Sequence, residues 1–358
     1  MKLRFLGAVF AALFALQTGV VGAASTSASS APASKHAAAK SSAKPKVAAK
    51  PSAKRAVTKK KAGAKAKKPA AVRAAAKKTI TAPAAAALDH GKEGADSAGA
   101  LPELGSSAFY VVNQNTGEVL LERNGGAVLP IASITKLMTA MVVLDAGQSL
   151  SERLSITGDD IDHLKGTGSR LSLGTALTRE EMLNLALMSS ENRAASALAR
   201  NYPGGEHAFI EAMNVKARLL GLWSTRFHDS TGLNPANVSS PRDLARLVSA
   251  ASSYALIREF STAPERYVAV RGHSMRFGNT NALVKSPEWA ISVSKTGYIS
   301  EAGRCLVMQT WLNQQPVVMV LMDSAGRYTR TADAKRVRKW LEQMLPQRLA
   351  SARHLSGG

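Results

Sequence analysis

The chain has 358 residues, 45% of them hydrophobic, with 47 Lys or Arg against 25 Asp or Glu and a single cysteine. The formal charge of +22 is concentrated at the front: residues 1–88 hold 18 basic and no acidic residues, leaving 29 basic and 25 acidic for the rest. One cysteine excludes an internal disulfide framework, and the near-balanced charge after residue 88 confines any argument from the basic pI to the leading segment.

Residues 1–23 read as a secretory signal. Lys2 and Arg4 precede an uncharged run, Phe5 to Leu16, and "VVGA" ends in small residues suited to cleavage after Ala23. The run is short beside the ~20 apolar residues of a membrane span, so the mature protein is expected outside the cytoplasm. Residues 24–105 read as a disordered linker: Ala-, Lys-, Ser- and Pro-rich to residue 88, then a Gly/Ala/Asp transition. Two roles are open for its lysines. They could grip an anionic polymer or membrane surface by counterion release, or simply keep a soluble spacer extended. Nothing in it signals a specific nucleic-acid contact.

Residues 106–347 have the composition of one folded domain, followed by a short tail, 348–358. "AFYVVNQNTGEVLLER" (108–123) places two apolar runs around a turn, a hairpin signal. "LPIASITKLMTA" (129–140) opens an apolar helix that ends before Gly147. Residues 154–177 are glycine-punctuated loops and short strands. "TREEMLNLALMSSENRAASALARNY" begins with a capping box, Thr178 to Glu181, and reads as helix, a break near Ser189–Ser190, then helix. "GEHAFIEAMNVKARLLGL" is an amphipathic helix stopped at Gly221. "SSPRDLARLVSAAS" is another, with Ser240 as cap and Pro241 at its first position. Strands follow at 289–297, 304–313 and 315–324, the last two close enough to pair antiparallel, and then a helix over 331–345. The order is strand pair, helical middle, strand triplet, terminal helix. It predicts an α+β fold: an antiparallel sheet built from both ends of the domain, with a helical lobe inserted between.

Ser133 and Lys136 carry the first chemical signal. A serine near a helix start lies beside free backbone N–H groups, and a lysine three residues on shares its face. A neighbouring amine activates the hydroxyl if burial or another cation lowers its pKa. The Ser-x-x-Lys pattern also occurs at Ser41/Lys44 and Ser292/Lys295, so alone it is weak. Two more strings reinforce the copy at 133. "SEN" (190–192) sits at a helix break, and "KTG" (295–297) ends a strand, where a lysine, a hydroxyl and a close backbone suit a substrate carboxylate.

Together these motifs resemble the signature of the serine DD-peptidases of the penicillin-binding protein superfamily. "IASITKLMTA", "LMSSENRAASALA", "DSTGL" (229–233) and "SVSKTGYI" are closest to the low-molecular-mass D-alanyl-D-alanine endopeptidases of the penicillin-binding protein 7 type. The resemblance implies a serine β-lactamase/DD-peptidase-like fold with a five-stranded sheet, and a periplasmic enzyme acting on peptidoglycan stem peptides. It also implies β-lactam antibiotics as covalent inhibitors. By position, Ser133 would be the acylated nucleophile, Lys136 its base and Ser190 a proton relay to the leaving amine. Asn192 would hold the substrate amide, and Lys295 and Thr296, with Gly297 beside them, its carboxylate. The N–H groups of Ser133 and Tyr298 would form the oxyanion hole. Repulsion between Lys136 and Lys295 is expected to lower the proton affinity of both. Glu191 stands where class A β-lactamases have Asp, and no Glu-x-x-Leu-Asn lies between the second and third motifs. Both departures favour a peptidase over a β-lactamase. The seven histidines and Cys305 form no metal-binding spacing, so no metal or other cofactor is expected.

Overall fold

The structure, a computed structural model, describes residues 101–355. The expected signal sequence and nearly all of the linker lie outside the described residues.

A five-stranded antiparallel sheet forms the frame. Its first hairpin is β1 (Ser106–Asn113) and β2 (Val119–Arg123). The other strands come from the far end of the domain: β3 (Ala290–Ile299), β4 (Gly303–Leu312) and β5 (Gln315–Ser324). The order in space is β2-β1-β5-β4-β3, so the two ends of the domain meet at β1–β5, where Phe109 lies opposite Leu321. β4 and β5 join through Asn313 and Gln314, both in the left-handed region (φ +47° and +61°), the twist a two-residue hairpin requires.

β5 reads as an unbroken apolar run because both faces of the sheet are covered. Val317, Met319 and Leu321 pack with Val337, Trp340 and Leu341 on one face, while Val318, Val320 and Met322 join the helical core on the other. At the centre of that core is α1 (Thr135–Asp145), every residue of which is buried from Thr135 to Val143. A helix enclosed on all sides has no polar stripe, which accounts for the all-round apolar "LPIASITKLMTA". Around it lie α2 (Arg179–Met188), α3 (Asn192–Arg200), α4 (Gly205–Leu219) and α5 (Pro241–Ala251). The Thr178–Glu181 capping box forms in both directions, and Ser240 accepts from the Asp243 N–H at 3.2 Å. Gly221, left-handed at φ +68°, closes α4.

Two features went unread in the sequence: α6 (Ala255–Thr262) and a separate hairpin, Glu265–Val270 with His273–Gly278. Arg271 and Gly272 turn that hairpin, both at positive φ. Arginine is not a residue that signals such a turn, and Val268, Val270 and Phe277 are the hairpin's only buried apolar side chains. The last helix, α7 (Thr329–Leu355), also outruns its expected end at residue 345. Pro346 removes one backbone donor, but the Ala- and Arg-containing stretch beyond it favours helix and the turn continues. The first turns of α7 are fixed to β1 by Asp333. Its buried carboxylate accepts from Gly105 N at 3.1 Å, Ser106 N at 2.8 Å and Ser106 Oγ at 2.7 Å.

Candidate active site

Three elements converge where α1 begins. Leu129–Pro130 pairs with Val238–Ser239, Ala132 turns the chain at φ +48°, and Ala132–Ile134 forms a 3-10 turn leading into α1. The turn holds Ser133 at the edge of the cleft and leaves Lys136 beneath it, 1% exposed.

Lys136 Nζ lies 2.9 Å from Ser133 Oγ, 2.7 Å from Asn192 Oδ1 and 2.6 Å from the Thr231 carbonyl. Burial lowers its pKa from 10.5 to about 7, against the opposing pull of Asp229 and Glu191. In the neutral form the amine has two N–H groups and one lone pair. Asn192 Oδ1 and the Thr231 carbonyl can only accept, so they take the two N–H groups. The lone pair is left facing the Ser133 hydroxyl. That is the geometry of a general base and its nucleophile.

Lys295, on β3, is equally buried at 1% exposed. Its Nζ donates to Ser190 Oγ at 2.9 Å and to the Thr296 carbonyl at 3.0 Å. Burial holds it well below the usual lysine range, with Lys136 and then Arg330 adding repulsion. The expected mutual repulsion is thus secondary. It counts behind burial at Lys295, and burial alone lowers Lys136. Ser190 stands in the break between α2 and α3 at φ +61°, and Asn192 opens α3 with its Nδ2 donating to Thr167 Oγ1 at 3.1 Å. Thr296 Oγ1 donates to Thr280 Oγ1 at 2.7 Å.

Gly297 is required by proximity. A Cβ there would sit 2.9 Å from the Ile131 carbonyl oxygen and 3.2 Å from the Ser133 nitrogen, so β3 runs hard against the nucleophile turn. Tyr298 follows, 55% exposed, with the Arg304 guanidinium 4.4 Å from its ring centroid. All eight residues singled out in the sequence therefore meet at one cleft. Ser133, Lys136 and Asn192 form one bonded group, and Lys295 and Ser190 another.

Other participants lie outside the three motifs. The 229–234 loop is built on Asp229, whose carboxylate accepts the N–H groups of Gly232 (2.7 Å), Leu233 (3.1 Å) and Asn234 (3.0 Å) and so presents the Thr231 carbonyl. "DSTGL" holds that loop in plain view, since Asp followed by Gly three residues later is turn chemistry. Arg330, from the first turn of α7, donates to the Gly297 carbonyl at 2.9 Å and the Cys305 carbonyl at 3.1 Å. Only the fold brings it there. Beside Asn192 and Thr231 opens a cavity of about 280 Å³ walled by Asp159, Asp162 and Glu206.

Comparison with known proteins identifies the family. Residues 95–326 match the family model described as D-alanyl-D-alanine carboxypeptidase. The D-alanyl-D-alanine endopeptidase of Pseudomonas aeruginosa is 51% identical over 242 residues, 67% of this chain and 78% of that one. The Escherichia coli K12 protein of the same name is 47% identical over 253 residues, 70% and 82% of the two chains. Among solved structures, penicillin-binding protein D2 from Listeria monocytogenes, in its cefotaxime-bound form, superposes with a TM-score of 0.61. It is 26% identical and covers 68% of this chain and 99% of its own.

Proposed function

Because the chain belongs to the D-alanyl-D-alanine carboxypeptidase family, we propose that the cluster around Ser133 cleaves D-alanyl peptide bonds in peptidoglycan through an acyl-enzyme. The enzyme is a serine-type D-alanyl-D-alanine peptidase. Its relatives at 51% and 47% identity are both named endopeptidases, and the reading follows them: it cuts the cross-links between stem peptides.

In the proposed reaction Ser133 Oγ attacks the D-alanyl carbonyl and its proton passes to the Lys136 lone pair. The oxyanion is held by the backbone N–H groups of Ser133 and Tyr298, each contributing on the order of 3 kcal/mol at the transition state. Ser190, bonded to Lys295, relays a proton to the departing amine, the proton that Lys136 took from Ser133, so that Ser190 and Lys136 both end as they began. Asn192 holds the substrate amide, and Lys295 and Thr296 hold the carboxylate next to the scissile bond. Water then releases the acyl group. The observation that carries this reading is a buried lysine, its pKa lowered to about 7, with its amine 2.9 Å from the serine hydroxyl. A β-lactam presents the same amide in a strained ring, so it acylates the same oxygen.

A fluorescent penicillin should label the wild type and not Ser133→Ala, and mass analysis should show cross-linked dimers converted to monomers. Release of terminal D-alanine with dimers left intact would make it a carboxypeptidase. Rapid turnover of the penicillin would make it a β-lactamase.

We also propose export to the periplasm, supported by the signal-like residues 1–23, and contact of the basic 24–88 segment with an anionic polymer or membrane surface, supported by its charge. N-terminal sequencing of the periplasmic protein should begin after Ala23. Binding of the full chain to anionic vesicles should fall with added salt.

A further inference from the structure

Glu191 is the member of the second motif to which the reaction above gives no part. Its side chain is buried at the N-terminus of α3, yet it caps no helix N–H. It faces the neighbouring loop instead. Ser169 Oγ donates to Oε2 at 2.7 Å, and Arg170 Nε and Nη2 donate to Oε1 at 3.3 and 3.2 Å. Arg170 is braced in turn, 4.0 Å from the Phe277 ring centroid and donating to the Arg276 carbonyl at 2.8 Å. The same loop offers Thr167 Oγ1 to Asn192.

We propose that Glu191 is a positioning residue: one buried carboxylate clamps the 162–170 loop to the turn carrying Ser190 and Asn192, and sets the electrostatic field at the Lys136 amine. The inference rests on the acyl-enzyme reading. The clamp accounts for how Ser190 keeps a left-handed backbone, a conformation that persists only where its surroundings impose it. The field follows from charge. Three charged groups face Lys136: Glu191 from the turn before α3, Asp229 from the loop after α4, and Lys295 from β3. Asp229 is occupied by the N–H groups of its own loop. Glu191 is balanced by one removable partner, Arg170, through an ion pair of 3.2 Å.

The two halves of that pair therefore act on Lys136 with opposite signs. Glu191→Gln removes an anion, so the neutral base persists to lower pH. Arg170→Gln leaves the anion unbalanced, so the base holds its proton to higher pH. The test is the rate of Ser133 acylation by a fluorescent penicillin between pH 5 and 9, by stopped flow, on the full chain. The acid limb should move down by roughly 0.5–1 unit in Glu191→Gln and up by a similar amount in Arg170→Gln, the lower end of what a nearby charge does to a buried group. Lys165→Gln is the control. Lys165 pairs with Glu301, which tethers the same loop elsewhere, so this change should leave the limb where it is.

Limbs that stay fixed in both variants, or move the same way, overturn the proposal, as does a shift in Lys165→Gln equal to that in Glu191→Gln. Melting curves check that each variant folds. If Glu191→Gln does not, the upward shift in Arg170→Gln still decides. A wild type that takes up no penicillin at Ser133 fails the underlying reading instead, so the two failures are distinct.

Discussion

A lysine that serves as a base must be neutral where it works, and Lys136 is made so by place. Its amine is sealed under the nucleophile turn, and burial, against the opposing pull of Asp229 and Glu191, brings it to about 7. Below that pH the lone pair facing Ser133 is protonated. Acylation should therefore rise with pH through about 7 and level off above it. A rate that stays flat from pH 5 to 9 would remove Lys136 from the role. Lys136→Arg keeps a cation that does not give up its proton and should lose at least ~100-fold in acylation rate, measured beside the wild type at pH 8. The arrangement also has a thermodynamic consequence. Between pH 7 and 10.5 the unfolded chain holds a proton at this lysine that the folded site has lost, so the site's contribution to stability grows as pH rises. The base is bought with stability at neutral pH, as functional sites commonly are.

At the scale of elements, the site exists because a loop and a strand both press against the start of α1. Gly232 shows how closely. A Cβ there would lie 1.9 Å from the Ala132 carbonyl oxygen, at a backbone φ of +82°. Gly232→Ala should push the 229–234 loop, with the Thr231 carbonyl, off Lys136. The expected result is a loss of ~2 kcal/mol or more in stability and acylation slowed more than tenfold. A variant that melts and acylates like the wild type would show that the contact is slack. The same distinction between local and distant signals explains what the sequence disclosed. Ser133 and Lys136 share one helix start, Ser190 and Asn192 one helix break, and Lys295 to Tyr298 one strand end, so each group carries its own short pattern. α1 and β5 were legible because complete burial leaves an unbroken apolar run. Thr167, Thr231, Thr280 and Arg330 reach the cleft from segments whose positions depend on the finished fold. The 265–278 hairpin carries no comparable pattern, because its turn rests on Arg271 and few of its side chains enter a core.

At the scale of the molecule, a sheet assembled from both ends of a domain needs a device to hold those ends together, and Asp333 supplies one. Ser106, which opens β1, meets it through backbone and side chain, and Ser106 Oγ also lies 2.8 Å from Ser324 Oγ at the end of β5. The closing helix, the first strand and the last strand are thus tied at a single buried carboxylate. Arg330 lies just under one turn earlier on the same helix and holds β3 and β4 by their carbonyls at Gly297 and Cys305. The first turns of α7 therefore brace both the sheet's seam and the strand that borders the nucleophile. Asp333→Ala would leave the buried Ser106 N–H without an acceptor and also remove the bonds from Gly105 N–H and Ser106 Oγ. Unmet buried donors of this kind cost about 1–3 kcal/mol each. A total of about 3 kcal/mol corresponds to a fall in Tm of roughly 6–12 °C for a domain of this size. Acylation measured well below that Tm should stay near the wild-type rate, because the bonds of Arg330 to β3 and β4 do not pass through Asp333. Should acylation collapse while the Tm holds, the seam and the site would be coupled in the reverse sense, with Asp333 acting on β3 through Arg330.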